Sequence, residues 1–95
     1  MGLKSEMGKL LFDQNAFPDI PRFEREQLLD KIQWIWVNRK VIDHHPLRHD
    51  LTGLYKRQKG KYRIIYSYDD GPDEMIVLLA GTRDTIYEDA VKKFR

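Results

Sequence analysis

Residues 54–67 constrain this chain more than any other stretch, because apolar and aromatic side chains alternate with basic ones on both sides of Gly60. That alternation describes two β-strands folded back on each other, and a glycine accepts the positive φ that a tight hairpin turn needs. A two-residue loop at Lys59 and Gly60 opposes Gln58 to Lys61, Arg57 to Tyr62, Lys56 to Arg63 and Tyr55 to Ile64. Opposed residues share a face, so Leu54, Lys56, Gln58, Lys61, Arg63, Ile65 and Ser67 form one side. The other side carries Tyr55, Arg57, Lys59, Tyr62, Ile64, Tyr66 and Tyr68, a set suited to a core beneath a helix. The register also sets Lys56 directly against Arg63. Like charges so placed repel by a few tenths of a kcal/mol or more, a poor structural choice unless an anion sits between them.

The remaining segments supply the partners of this hairpin. Residues 9–14 suit a short strand with Leu10 and Phe12 on one face and Leu11 on the other, and residues 1–8 are expected to be a flexible lead-in. Ala16, Phe17, Ile20 and Phe23 trace a helical stripe that Pro18 and Pro21 interrupt, which predicts a short first helix and then a break. Leu28, Leu29, Ile32, Ile35 and Trp36 line one side of a second helix over about 22–38, with Trp36 in the core and Trp34 off the stripe.

The connection 39–52 contains His44, His45 and His49. Two are adjacent, a proline follows, and no i, i+4 pair exists, so a polar loop is the simpler reading than a metal site. Residues 69–74 form a turn without the ligand spacing of a calcium loop. Met75–Ala80 is a nearly continuous apolar run, as expected of a strand covered on both faces. Asp84 then caps a final helix through Phe94, with Lys92 and Lys93 in its last turn. The order β-α-α-β-β-β-α describes one α+β domain over 1–95: two N-terminal helices and a short C-terminal helix on a small, mainly antiparallel four-stranded sheet.

Composition narrows the function. With no cysteine among 95 residues, a disulfide framework and a thiolate metal site are both excluded. No apolar run reaches membrane-spanning length, and a soluble, cytoplasmic protein is expected. A net charge of +2 says little by itself. Its distribution says more: Lys56, Arg57, Lys59, Lys61 and Arg63 crowd one hairpin, and no acid occurs between Asp50 and Asp69. Such a patch suits a polyanion.

Pro46-Leu47, the run from Leu51 to Tyr66, Leu79 to Arg83, and Ile86-Tyr87 together resemble the RelE/ParE superfamily of toxin–antitoxin toxins, specifically its RelE branch. The resemblance is sharpest at Gly-x-Tyr-Arg (60–63) and Arg-x-x-x-Tyr (83–87). It implies a RelE-like toxin that enters the ribosomal A site, cuts mRNA there without metal or cofactor, and is restrained by a cognate antitoxin protein. Carried over by position, Arg63 contacts the scissile phosphate, Arg83 stabilises the transition state and leaving group, and Tyr87 orients the bases and the nucleophile. Lys56 matches the first basic position of the preceding strand. The second basic position of that strand is Gln58 here, so Arg57 or Lys61 has to compensate. Arg57, Gln58, Lys59 and Lys61 complete the expected RNA-binding set.

Chemistry leads to the same residues. Cleavage by the neighbouring 2′-hydroxyl needs a proton acceptor, charge stabilisation at phosphorus and a proton for the departing 5′-oxygen. All three histidines lie in the preceding loop. Arginine is too basic to accept the proton but clamps phosphate oxygens bidentately, which leaves Lys56 as the better acceptor. Two rival readings share the fold: a ParE-like DNA gyrase inhibitor, and a non-catalytic antitoxin-binding protein. Whether Arg83 shares the face of Arg63 depends on the register across 69–74, undetermined at this level.

Overall fold

A computed structural model describes residues 8–94, so the expected lead-in lies outside the described residues except for Gly8. The elements run β1 (Lys9–Phe12), α1 (Arg22–Val37), β2 (His45–Pro46), β3 (Tyr55–Lys59), β4 (Tyr62–Asp69), β5 (Glu74–Thr82) and α2 (Ile86–Phe94), with one 3₁₀ turn at His49–Leu51. They build a sheet of order β1-β5-β4-β3-β2. β1 pairs with β5 in parallel and the other pairs are antiparallel.

Several expectations are corrected here. The sheet is mixed and has five strands, because His45 and Pro46 pair with Lys56 and Tyr55 inside what the sequence suggested was a loop. Two residues show no alternation, and Pro46 lacks the N–H to extend the ladder. The predicted short first helix does not form. Residues 14–19 are turns, Asp19 adopts φ +52°, and Ala16 and Ile20 reach the core without helical structure. Prolines at 18 and 21 deny that segment its N–H donors, and Pro21 instead stands immediately before α1.

The third correction concerns the hairpin register. Lys59 opposes Tyr62, so Gly60 and Lys61 form the loop, with Gln58 facing Arg63 and Lys56 facing Ile65. Gly60 has φ +60° while Lys61 does not, the pattern of a type II′ turn with glycine first. Sliding the loop by one residue changes every cross-strand pair and leaves both faces as expected. Lys56 and Arg63 become diagonal neighbours, which relieves the predicted repulsion.

A core layer fills each side of the sheet. Leu28, Ile32 and Ile35 of α1 pack on Tyr62, Ile64, Tyr66, Met75 and Val77. On the opposite side, Ile86 and Ala90 of α2 pack on Ile65 and Leu79, with Leu51 beside them. Trp36 and Leu10 pack against the first layer, but Phe12 stays 42% exposed and meets the ring of Phe17. A Cβ on Gly81 would lie 3.1 Å from Ile86 Cδ1, so the missing side chain lets α2 sit close to β5.

A β-bulge interrupts the central pairing. Ile65 opposes Leu79 and Tyr66 opposes Val77, leaving Leu78 as an extra residue on β5. Val77 therefore faces α1 while Leu79 faces α2. The freed carbonyl of Leu78 accepts a hydrogen bond from Lys93 Nζ at 3.0 Å, and the same ammonium reaches Asp13 Oδ1 at 3.1 Å. That contact holds the Asp13 carboxyl below its usual range, after the bond it accepts from the Asn15 N–H. At its start α2 differs from expectation: the helix opens at Ile86, and the Thr85 carbonyl, not Asp84, accepts its first amide bond, from Asp89.

Candidate active site

The bulge decides where Arg83 points. Alternation continued from Met75 would carry residue 83 to the α1 side; the extra residue reverses the parity, so Gly81 opposes Arg63 on the α2 side. The Arg83 N–H donates to the Lys61 carbonyl at 3.3 Å, extending the ladder one step past the strand. Gln58, Lys61 and Arg63 of the hairpin then share one cleft with Thr82, Arg83 and Asp84. Lys56, on the same face, lies with its Nζ 5.8 Å from the ring centre of Tyr87. Tyr87 is half-buried against the α2-side core, in the first turn of α2.

Four side chains from three strands or strand ends and a helix thus converge on one face. Neither Lys56, Arg63 nor Arg83 forms an ion pair among the described residues. Arg63 donates only to its neighbour's carbonyl, that of Tyr62, at 3.4 Å. Cations held close together without an ion-paired carboxylate carry a positive field that an incoming anion relieves. Gln58 donates to the Gly60 carbonyl at 3.1 Å, within the turn.

The other expected basic residues lie elsewhere. Arg57 points to the α1 side, donates to the Asp43 carbonyl and sits 5.6 Å from the Trp34 ring. Lys59 also faces that side, beside Glu24 and Gln27. Lys61, at the tip, lies 3.5 Å from the Glu24 carboxylate. Of the two residues expected to make up the charge lost at Gln58, Arg57 lies on the other face, while Lys61 lines the cleft that holds Arg63 and Arg83.

The histidine loop has a structural task for His44. Its Nε2 lies 2.8 Å from the Arg39 carbonyl, which can only accept, so that nitrogen carries the proton. Its Nδ1 meets the buried Tyr66 hydroxyl at 2.6 Å. Among the described residues, no group of three or more His, Asp or Glu side chains could hold a metal ion.

No protein-family model matches the chain. Toxin RelE of Mycobacterium tuberculosis (strain ATCC 25618 / H37Rv) is 38% identical over 42 residues, which is 44% of this chain and 43% of that relative's length. The isolated E. coli RelE toxin superposes with a TM-score of 0.63 at 26% identity, covering 94% of this chain and 100% of that one. The chain is similar to RelE toxins in fold and over part of its sequence. The E. coli RelBE toxin–antitoxin complex adds a likeness of fold, with TM-score 0.58 and 21% identity over 80% of this chain and 96% of that one.

Against the RelE fold, the sequence reading missed Lys31 and His45. Both line a second cleft together with Lys56, Arg57, Gln58 and Arg63. Lys31 is one of many charged positions on α1, and only the tertiary contact with the hairpin distinguishes it.

Proposed function

We propose that this chain is the toxin of a type II toxin–antitoxin system, an endoribonuclease that cleaves mRNA in the ribosomal A site and so stops translation. The observation that carries this reading is the group of unpaired cations, Lys56, Arg63 and Arg83, gathered with Tyr87 on one face. In the proposed reaction the 2′-hydroxyl attacks the adjacent phosphorus, Lys56 in its neutral amine form takes the hydroxyl proton, and the bond to the 5′-oxygen breaks. Arg63 holds the non-bridging oxygens of the scissile phosphate. Arg83 stabilises the charge that grows on the phosphorane and on the leaving oxygen, which takes a proton as it departs. Tyr87 stacks on a base and fixes the nucleophile. The products are a 2′,3′-cyclic phosphate and a free 5′-hydroxyl. No cofactor or metal enters this scheme.

This scheme gives no histidine or carboxylate a proton-transfer role, a contribution worth roughly 10²–10⁴-fold where present. Dependence on the ribosome to align the mRNA follows from that economy. The reading also includes a cognate antitoxin that covers the basic face, as the likeness to a toxin–antitoxin complex suggests, and a cytoplasmic location. No helix among the described residues is long and apolar enough to cross a membrane.

Purified programmed ribosomes provide the test, with primer extension on the mRNA after addition of wild type, Arg63→Ala or Arg83→Ala. Codon-phased cuts by wild type, lost in both variants at unchanged circular dichroism, are the expected result. Intact mRNA with wild type overturns the nuclease. Inhibition of DNA gyrase in a parallel supercoiling assay would then support the ParE-like alternative.

A further inference from the structure

The strand β2 pairs only with Tyr55 and Lys56, so the outer edge of β3 is uncovered from Arg57 onward. A cleft of about 350 Å³ opens over that edge. Its lining comes from four elements: Lys31 of α1, His45 of β2, Lys56, Arg57 and Gln58 of β3, and Arg63 of β4. Four of these six are lysines or arginines and none is a carboxylate. Gln58 and Arg63 also line the cleft that contains Arg83, so the two depressions adjoin. Beyond Arg57 lies Trp34, 44% exposed, with Lys31 Nζ 4.2 Å and the Arg57 guanidinium 5.6 Å from its ring.

We infer that this cleft is a second binding segment for single-stranded RNA, which carries the chain from the scissile phosphate at Arg63 around the bare edge of β3 to a base platform at Trp34. The inference rests on the nuclease reading above and adds to it Lys31, His45 and Trp34. Single strands are bound by a basic groove that follows the phosphates and by aromatic rings on which bases stack, and both parts occur here side by side. The uncovered strand edge adds the main-chain N–H of Gln58, which alternation turns away from β4, where a covered edge would offer none. An acidic polypeptide would also be drawn to the cations. The adjoining phosphate-clamping face and the half-exposed indole favour RNA.

The test uses oligonucleotides that cannot be cleaved. A nine-residue 2′-O-methyl RNA and a trinucleotide of the same chemistry are titrated into the full-length protein at low salt, and ¹H–¹⁵N spectra follow the Trp34 indole and the Arg63 and Arg83 amides. The nonamer is expected to move all three signals and the trinucleotide only the two amides. Lys31→Ala should lower the slope of log affinity against log salt for the nonamer by about 0.7, the value for one phosphate contact on a single strand. Trp34→Ala should weaken the nonamer roughly tenfold and leave the trinucleotide unaffected.

If the nonamer moves the arginine amides but not Trp34, and Lys31→Ala binds as wild type, the second segment is overturned while the proposed active site stands. If neither oligonucleotide moves any signal, the second segment is overturned, while the nuclease reading stands or falls separately on cleavage with programmed ribosomes. If a decaglutamate peptide moves Trp34 and the nonamer does not, the surface takes protein and the inference is overturned.

Discussion

The two faces of this sheet handle charge in opposite ways. On the α1 side, Arg39 meets Asp73 through two hydrogen bonds of 2.6 and 2.8 Å, donates a third to the Trp36 carbonyl, and lies over the Trp36 ring at 3.7 Å. The Tyr68 hydroxyl completes the group with a 2.9 Å bond to Asp73. The Arg39 guanidinium, helped by Tyr68, holds the Asp73 carboxyl far below the usual range, and burial beside that carboxylate pushes Tyr68 up to about 12. On the α2 side, Lys56, Arg63 and Arg83 share a face and form no ion pair among the described residues. A charge satisfied within the fold serves stability, because breaking it leaves an orphan in a dry site. A charge left unsatisfied is available to something that arrives later. One arginine type thus does two jobs, and the partner distinguishes them.

Breaking the comparison most sharply means exchanging activity loss for stability loss. Arg63→Ala or Arg83→Ala is expected to lower ribosome-dependent cleavage by roughly 10²–10³-fold, the size of losing one preorganised donor to a developing anion. Thermal melting of both should match wild type, since an exposed or half-exposed unpaired cation contributes little to folding. Arg39→Met should behave in reverse: a clearly lower melting temperature, with cleavage by the folded fraction unchanged at low temperature. A variant that alters both quantities equally would dissolve the distinction.

Next in size is a paired core test. Ile64→Ala on the α1 side and Ile65→Ala on the α2 side each remove a fully buried side chain and should cost about 2–5 kcal/mol in denaturant unfolding. Only Ile65→Ala should also reduce cleavage, because α2 rests on it. A smaller effect is expected from Lys93→Met: about a tenfold loss of cleavage, with faster amide exchange around Leu78 and Asp13, while Lys93→Arg restores part of both.

The smallest prediction concerns pH. Folded Tyr68 keeps its proton up to about 12, whereas the unfolded chain loses it near 10.0. Stability present below pH 10 therefore declines as pH rises from about 10 to about 12, and Tyr68→Phe removes that part of the decline in a melting series. Asp73 runs the other way: its contribution is present above the ordinary carboxylate value of 3.8 and is lost as pH falls below it.

Much of this was legible because hydrophobic alternation is a local signal. The hairpin's faces, the core side of α1 apart from Leu29, which stays 39% exposed, and the central strand at Met75–Ala80 follow from period alone, and the type II′ turn one residue away did not disturb them. What escaped the sequence depends on contacts between distant segments. The apolar stripe at Ala16, Phe17 and Ile20 reads as helical but is anchored by burial in a proline-restricted turn. β2 is too short to carry a period. The assignment of Lys56, Arg63, Arg83 and Tyr87 came from residue types in a family pattern, yet their common face depends on the bulge at Leu78, which no local feature announces. Arg57 and Lys59 sat in the same basic run and point away from Arg63, as simple alternation already required.

The bulge also reverses an ordinary rule about strands. Deleting a single residue from a central strand normally turns every later side chain inside out. Here, losing Leu78 would close the ladder into perfect alternation and leave Leu79, Gly81 and Arg83 facing as they do now. Only the carbonyl gripped by Lys93 would disappear. One residue of chain length is therefore given to fastening the tail of the molecule onto its middle, and the price of the knot is a single irregular step.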